Sequence, residues 1–270
     1  NGLIQESGLT SAELVTNGDF SQEGSELVTN GDFSSDSDWT VGVSWTIDNG
    51  FATSNGGQSF LTQNVGFVVG LTYLVTFNIN RNSGNLFVRD SSGVTKLIIN
   101  ENNDTTLQSF YFTSTSSGII NFYSYDYNGS IDNVSVKEVG QDWSFTSGAT
   151  LTALGAKITH TPSAGSVSQP SILTIGKSYK LTYEITESIS GGLKFNSAVN
   201  ASMVTTVGVH TKYLEADNTI VTFGRTSSSN NDVTITNISV KEIQLDVPRI
   251  DFADDTTGHL LLEPQSTNLI

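Results

Sequence analysis

The sequence predicts an all-β protein, two tandem antiparallel β-sandwiches with extended segments at both ends, and three observations lead there. The first is composition. Ser, Thr and Asn make up about a third of the 270 residues, and these residues favour turns and strands over helices. The second is alternation. Tyr73, Val75, Phe77 and Ile79 alternate with Thr72, Thr76 and Asn78, and Tyr179, Leu181, Tyr183 and Ile185 repeat the pattern, which is that of half-buried antiparallel strands. The third is repetition. Ile131–Val139 recurs as Ile235–Ile243, Gly70–Phe77 as Gly176–Tyr183, and Asp38-Trp39 as Asp142-Trp143. The offset of ~105 residues is too long for a solenoid repeat and suits a pair of domains.

Taken in order, the first unit offers strands at Ser44–Asp48, Phe51–Ser54, Ser59–Val65, Thr72–Ile79, Asn85–Arg89, Thr95–Ile99, Leu107–Thr113, Gly118–Tyr125 and Ser130–Val139. Turns at Asn49-Gly50, Asn55-Gly56-Gly57, Ser91-Ser92-Gly93 and Asn128-Gly129 separate them. So many short strands in one domain point to a two-sheet sandwich of jelly-roll topology. In the closing strand the inward parity changes from Ile131 to Val134 and Val136, and the second unit repeats the change from Ile235 to Ile238 and Val240. Either a β-bulge or a strand crossing between sheets produces such a switch.

The predicted units are an N-terminal docking arm at 1–25, a first sandwich at 26–139, a second at 141–243, and a docking segment or linker at 244–270. Glu13–Ser21 is repeated residue for residue as Glu26–Ser34. Only the later copy stands at the right distance from Trp39, so the earlier one reads as a spare strand that pairs with another subunit. Leu260-Leu261-Leu262 reads likewise as an apolar docking run. A start at Asn1 implies processing or a longer parent chain.

Composition also excludes classes. Twelve cations against 27 acids give a net charge of −15, which disfavours nucleic acid as a partner. The chain has no Cys, so disulfides, thiolate zinc sites and cysteine nucleophiles are out. No apolar run reaches the ~18 residues of a membrane-spanning helix. His160, His210 and His259 are isolated and no catalytic motif accompanies them. The expectation is a protein that is not an enzyme.

Asn30-Gly31-Asp32-Phe33, then Asp38-Trp39, closing on Ile131-Asp132-Asn133-Val134-Ser135-Val136, resembles the jelly-roll carbohydrate-binding modules of xylanases and other polysaccharide hydrolases, which belong to the galactose-binding-like sandwiches. Pro248-Arg249-Ile250-Asp251-Phe252 and Leu260–Ile270 resemble a segment of bacteriophage tail and fibre proteins. Together these resemblances imply a structural and binding protein of a phage virion appendage. Its partners would be other virion proteins, further copies of itself, often as a trimer, and a host cell-surface glycan. The alternative is a glycan-binding module of a secreted polysaccharide-degrading enzyme or a surface adhesin.

The first resemblance also implies one structural calcium in the first sandwich, held in part by Asp132. Ser34 stands where the family often has an acid, and Thr236 replaces Asp132 in the second unit, so no ion is expected there. Asp132 capping a turn is the rival reading. For sugar stacking, the available rings include Trp39, Trp45, Tyr111, Tyr123, Tyr125 and Tyr127, and the candidates are Trp45, Tyr111, Tyr123 and Tyr125. Tyr123, Tyr125 and Tyr127 share a parity, whereas the recurrence of Trp39 as Trp143 points to packing.

Overall fold

The computed structural model describes residues 9–100, 106–146, 148–160, 164–198, 202–226, 230–244, 249–251 and 259–261, with Leu9, Gln244 and the last two ranges in backbone only. The chain opens with β1 (Leu9–Thr10) and β2 (Glu23–Glu26). Then follow β3 (Thr40–Val41), β4 (Trp45–Asp48), β5 (Phe51–Asn55), β6 (Ser59–Phe67), β7 (Thr72–Asp90), β8 (Thr95–Ile99), β9 (Leu107–Thr113) and β10 (Gly118–Val139). The second half contains β11 (Ser144–Phe145), β12 (Ala149–Thr152), β13 (Gly155–Thr159), β14 (Ser166–Gln169), β15 (Ser178–Ser190), β16 (Leu193–Phe195), β17 (Gly208–Glu215), β18 (Val221–Arg225) and β19 (Asp232–Gln244). A hairpin of β20 (Arg249–Asp251) and β21 (His259–Leu261) ends the described chain.

In the first sandwich two long strands serve both sheets. The first part of β10 pairs with β6 and the last part of β7, while its second part pairs with β5, β2 and the first part of β7. The changeover lies where Tyr125 and Asp126 both face Asn85. Asp126 is left-handed there (φ 56°), and Gly84 (φ 72°) lies so close that a side chain would collide with the Asp126 carbonyl. The sheets close over a core in which Phe77 of one meets Phe122 of the other edge to face, ring centres 5.2 Å apart.

The second sandwich repeats this order with the long strands broken. One sheet runs β12-β13-β19-β15-β17 and the other β11-β14-β18-β16, matching β4-β5-β10-β7-β9 and β3-β6-β10-β7 strand for strand. Both closing strands slip register after the first apolar residue, at Asn133 (φ 51°) and Asn237 (φ 49°). The parity switch in the sequence is therefore a β-bulge. The crossing between sheets lies earlier, at Asp126.

The N-terminal segment corrects an expectation. The Glu13–Ser21 copy is no spare strand: Val15 and Phe20 are buried in the second core, as Val28 and Phe33 are in the first. Glu13 accepts from Val240 N (2.7 Å) and Ser239 Oγ (2.5 Å), as Glu26 does from Val136 N (2.8 Å) and Ser135 Oγ (2.6 Å). β1 pairs with β19, where β2 pairs with β10. The second sandwich is thus built from residues 9–21 and 141–244, with the first inserted between them. The other expected docking run, Leu260-Leu261-Leu262, has its first two residues in β21 and its side chains outside the described residues.

One buried ion pair ties loops in the first sandwich. Asp90 is 1% exposed and meets Lys96 Nζ at 2.9 Å, Thr115 Oγ1 at 2.9 Å and Ser92 N at 3.0 Å, with Ser92 Oγ also donating to it. Burial alone would raise its carboxyl, but the bonds from Ser92, Lys96 and Thr115 outweigh that and hold it well below the ordinary carboxylate range.

Two predictions follow from this architecture. Asp90→Asn should strand Lys96 and cost about 3–5 kcal/mol in denaturant unfolding of the first sandwich. The stability that ionised Asp90 contributes is full above the ordinary value of 3.8 and lost as pH falls below it toward the depressed folded value. A wild-type unfolding midpoint that falls there, and less so in the variant, checks the sign. Second, Phe20→Ala should destabilise the second sandwich by about 3–5 kcal/mol and spare the first, and Phe33→Ala should do the reverse. Amide exchange resolved by sandwich reads both.

Candidate functional site

Strands β6, β10, β7 and β8 lie side by side, and their outward residues form one face. Phe60 is directly opposite Tyr123, Tyr123 opposite Phe87, and Phe87 opposite Ile98. The alternate residues Leu61, Phe122, Leu86, Val88 and Ile99 point inward and are buried, so ordinary strand alternation puts the rings on the outer side of the sheet. Phe60 and Tyr125 are each 45% exposed. The Phe60 and Tyr123 rings lie 4.7 Å apart at 32°, and Phe87 is 6.1 Å from both Tyr123 and Tyr125. The result is an open aromatic platform.

Polar groups flank it. Tyr123 OH donates to Gln58 Oε1 at 3.2 Å. In the next row, Thr62, Asn121 and Arg89 stand opposite one another. Asn121 Oδ1 is buried without a hydrogen-bond partner. The Arg89 guanidinium sits over Tyr123 (4.4 Å) and Phe87 (5.0 Å), and Arg89 Nε donates to Thr95 Oγ1 at 3.2 Å.

The sequence candidates divide. Tyr123 and Tyr125 stand together on the platform. Trp45 does not: it is 3% exposed, packs on Tyr127 with ring centres 5.9 Å apart, and sits in the core. Tyr111 lies elsewhere, packed with Leu74 against the second sandwich's core, where burial and then Glu23 raise its phenol. Trp39 and Trp143 are core residues that donate to the Asn30 and Asn17 carbonyls at 3.0 and 2.9 Å. Tyr127 is fully buried because the slip at Tyr125/Asp126 reverses the parity it shares with Tyr125 in sequence. Phe60, Phe87 and Arg89 were missed. Their signal was the off-parity ring, Phe60 beside Thr62 and Asn64 on the polar side of its strand.

Asp132 lies at the closing-strand bulge, where it accepts from Asn133 N (2.6 Å) and Asn133 Nδ2 (2.9 Å). The counterpart Thr236 donates to the Asp19 carbonyl at 3.3 Å. Among the described residues no three His, Asp or Glu side chains group as a metal site. His210 bonds the Thr206 carbonyl at 2.6 Å and lies on Tyr183, away from His160 in β13–β14.

No protein-family model matches the chain, and no curated protein matches it. Solved structures do. The N-terminal CBM22-1-CBM22-2 tandem domain of Paenibacillus barcinonensis Xyn10C is 9% identical, covers 80% of this chain and 97% of its own, and has a TM-score of 0.31. A structure described as "CBM4 structure and function" is 16% identical, covers 46% of this chain and 98% of its own, and has a TM-score of 0.26. At such values the likeness carries no function, and the all-β sandwich fold rests on the strand order itself.

Proposed function

We propose that the chain is a non-catalytic glycan-binding protein whose first sandwich binds a polysaccharide across the Phe60–Tyr123–Phe87 platform. The observation that carries this is the row of rings on the outer side of strands whose other faces are fully buried, with Phe60 and Tyr125 exposed and Tyr123 and Phe87 half-buried between them. Aromatic side chains in a soluble protein ordinarily go inside, and an exposed contiguous group of them marks a binding surface. Sugar rings offer apolar C–H faces and polar edges, which suit stacking on Tyr123 and Phe60 with hydrogen bonds to Gln58, Asn121 and Thr62. An open face, unlike a closed pocket, admits the middle of a long chain.

This reading favours the module of a polysaccharide-degrading enzyme or adhesin. Placement on a virion, with other virion proteins and further copies as partners, is the narrower reading. It rests on the resemblance of Pro248–Ile270, most of which lies outside the described residues. Detecting the chain in purified phage particles would establish it.

Tyr123→Ala and Phe60→Ala should each weaken binding to a retained soluble polysaccharide about tenfold or more in affinity electrophoresis. Phe60 is exposed and Tyr123 half-buried on the outer side, so melting temperature should fall far less than on truncating a core ring such as Phe122. A broad polysaccharide panel in which the wild-type chain is never retarded would sink the reading.

A further inference from the structure

The platform has an electrostatic character that its rings alone do not explain. The chain carries 27 acids against 12 cations. Yet the outward positions of the four strands are Phe60, Thr62 and Asn64 on β6, Ile119, Asn121, Tyr123 and Tyr125 on β10, Asn85, Phe87 and Arg89 on β7, and Thr95 and Ile98 on β8. None is acidic, and the single charge among them is positive. No described acid forms an ion pair with Arg89; its partners are Thr95 Oγ1 and the faces of Tyr123 and Phe87.

A guanidinium held this way is already ordered. Stacking on two rings and the Nε bond fix its plane before any ligand arrives, so the planar fork loses little freedom on pairing. The group that fits such a fork is a carboxylate, taken by two parallel N–H bonds. The equivalent face of the second sandwich has neither the rings nor Arg89: Lys194, Gly224 and Ser166 stand where Phe87, Tyr123 and Phe60 do in the first. Lys194 there stands opposite Gly224, and Gly224 opposite Ser166. A cavity of about 350 Å³ opens at that point, lined by Ser166, Lys194, Asn196, Arg225 and Thr226 among others.

Resting on the glycan-binding reading, we propose that the ligand is an acidic polysaccharide: the platform stacks the sugar rings of a polyuronate while Arg89 pairs with a uronate carboxylate. The net charge of −15 does not forbid this. At physiological salt the screening length is ~8 Å, so the nearest charges decide: Arg89 within the face, with Asp126 at the Tyr125 end, four positions along β7 from it.

The experiment compares one polymer in two forms, polygalacturonate and the same polymer with its carboxylates reduced to alcohols, by calorimetry and affinity electrophoresis on the whole chain. The wild type should bind the polyuronate at least about tenfold tighter, as expected for a charge-assisted bidentate contact. Arg89→Gln should abolish that preference, bringing the two forms to equal affinity, and high salt should shrink it in the wild type. Equal binding to both forms, an unchanged preference in Arg89→Gln, or tighter binding of a sulfated polymer overturns the carboxylate assignment but leaves the platform as a glycan site. A wild type that binds neither these polymers nor neutral glucans and xylans overturns the glycan reading itself. Tyr123→Ala separates the two terms: it should weaken both forms, whereas Arg89→Gln should weaken the charged form far more than the reduced one.

Discussion

Each sandwich depends on one short loop seated against a bulge. A bulge in a closing strand leaves backbone groups that the ladder cannot pair. The segment Glu-Leu-Val-Thr-Asn-Gly-Asp-Phe-Ser, present twice, supplies the partners. Val134 N donates to the Gly31 carbonyl and Ile238 N to the Gly18 carbonyl, at 2.8 and 2.9 Å. The approach is so close that a Cβ on either glycine would run into the carbonyl of Val134 or Ile238. Two residues on, Phe33 and Phe20 turn inward with left-handed backbones to fill the core beside Trp39 and Trp143, ring centres 5.3 Å apart in both cases. Gln63 and Gln169 then clamp the loops, each exchanging two bonds with Thr29 or Thr16. Identical sequences reach identical structures because every group they must satisfy is duplicated.

That constraint explains the connectivity. The loop of the second sandwich comes before the loop of the first, so the first sandwich is carried as an insertion within the second. A strand that would otherwise present an unpaired edge is consumed at β19, and the outer sandwich is closed by residues from both sides of the inner one. Leu74 and Tyr111 of the inner unit pack against the outer core, which makes Tyr111 a packing residue.

The binding face follows from the long strands. Because β7 and β10 pass through both sheets without interruption, the same bulge that moves β10 between sheets also decides which of its tyrosines faces water. Before it, Tyr123 and Tyr125 project outward; after it, Tyr127 turns in and bonds the Asn80 and Ser130 carbonyls at 3.2 and 2.9 Å. In the second sandwich the corresponding strands are short and separate, and the face lacks rings.

Strand content, the two-sandwich plan and the parity switch of the closing strands were legible in the sequence, since alternation and repetition are local patterns that the backbone must obey; that the switch is a bulge was decided by the register. Leu107–Thr113 and Thr95–Ile99 occur as strands at those very bounds. Tyr123 and Tyr125 were also legible as one-sided rings. What lay beyond the sequence were relations between distant segments. Nothing local distinguishes Glu13–Ser21 from Glu26–Ser34; which copy serves which sandwich is decided by chain reach and by the bulge that each can meet. Nothing local says that Trp45 fills the core against Tyr127, or that Arg89 lies across rings from two strands, because register between strands sets both contacts. Periodicity shows that a side chain has a face, but only the assembled sheet determines which face is wet.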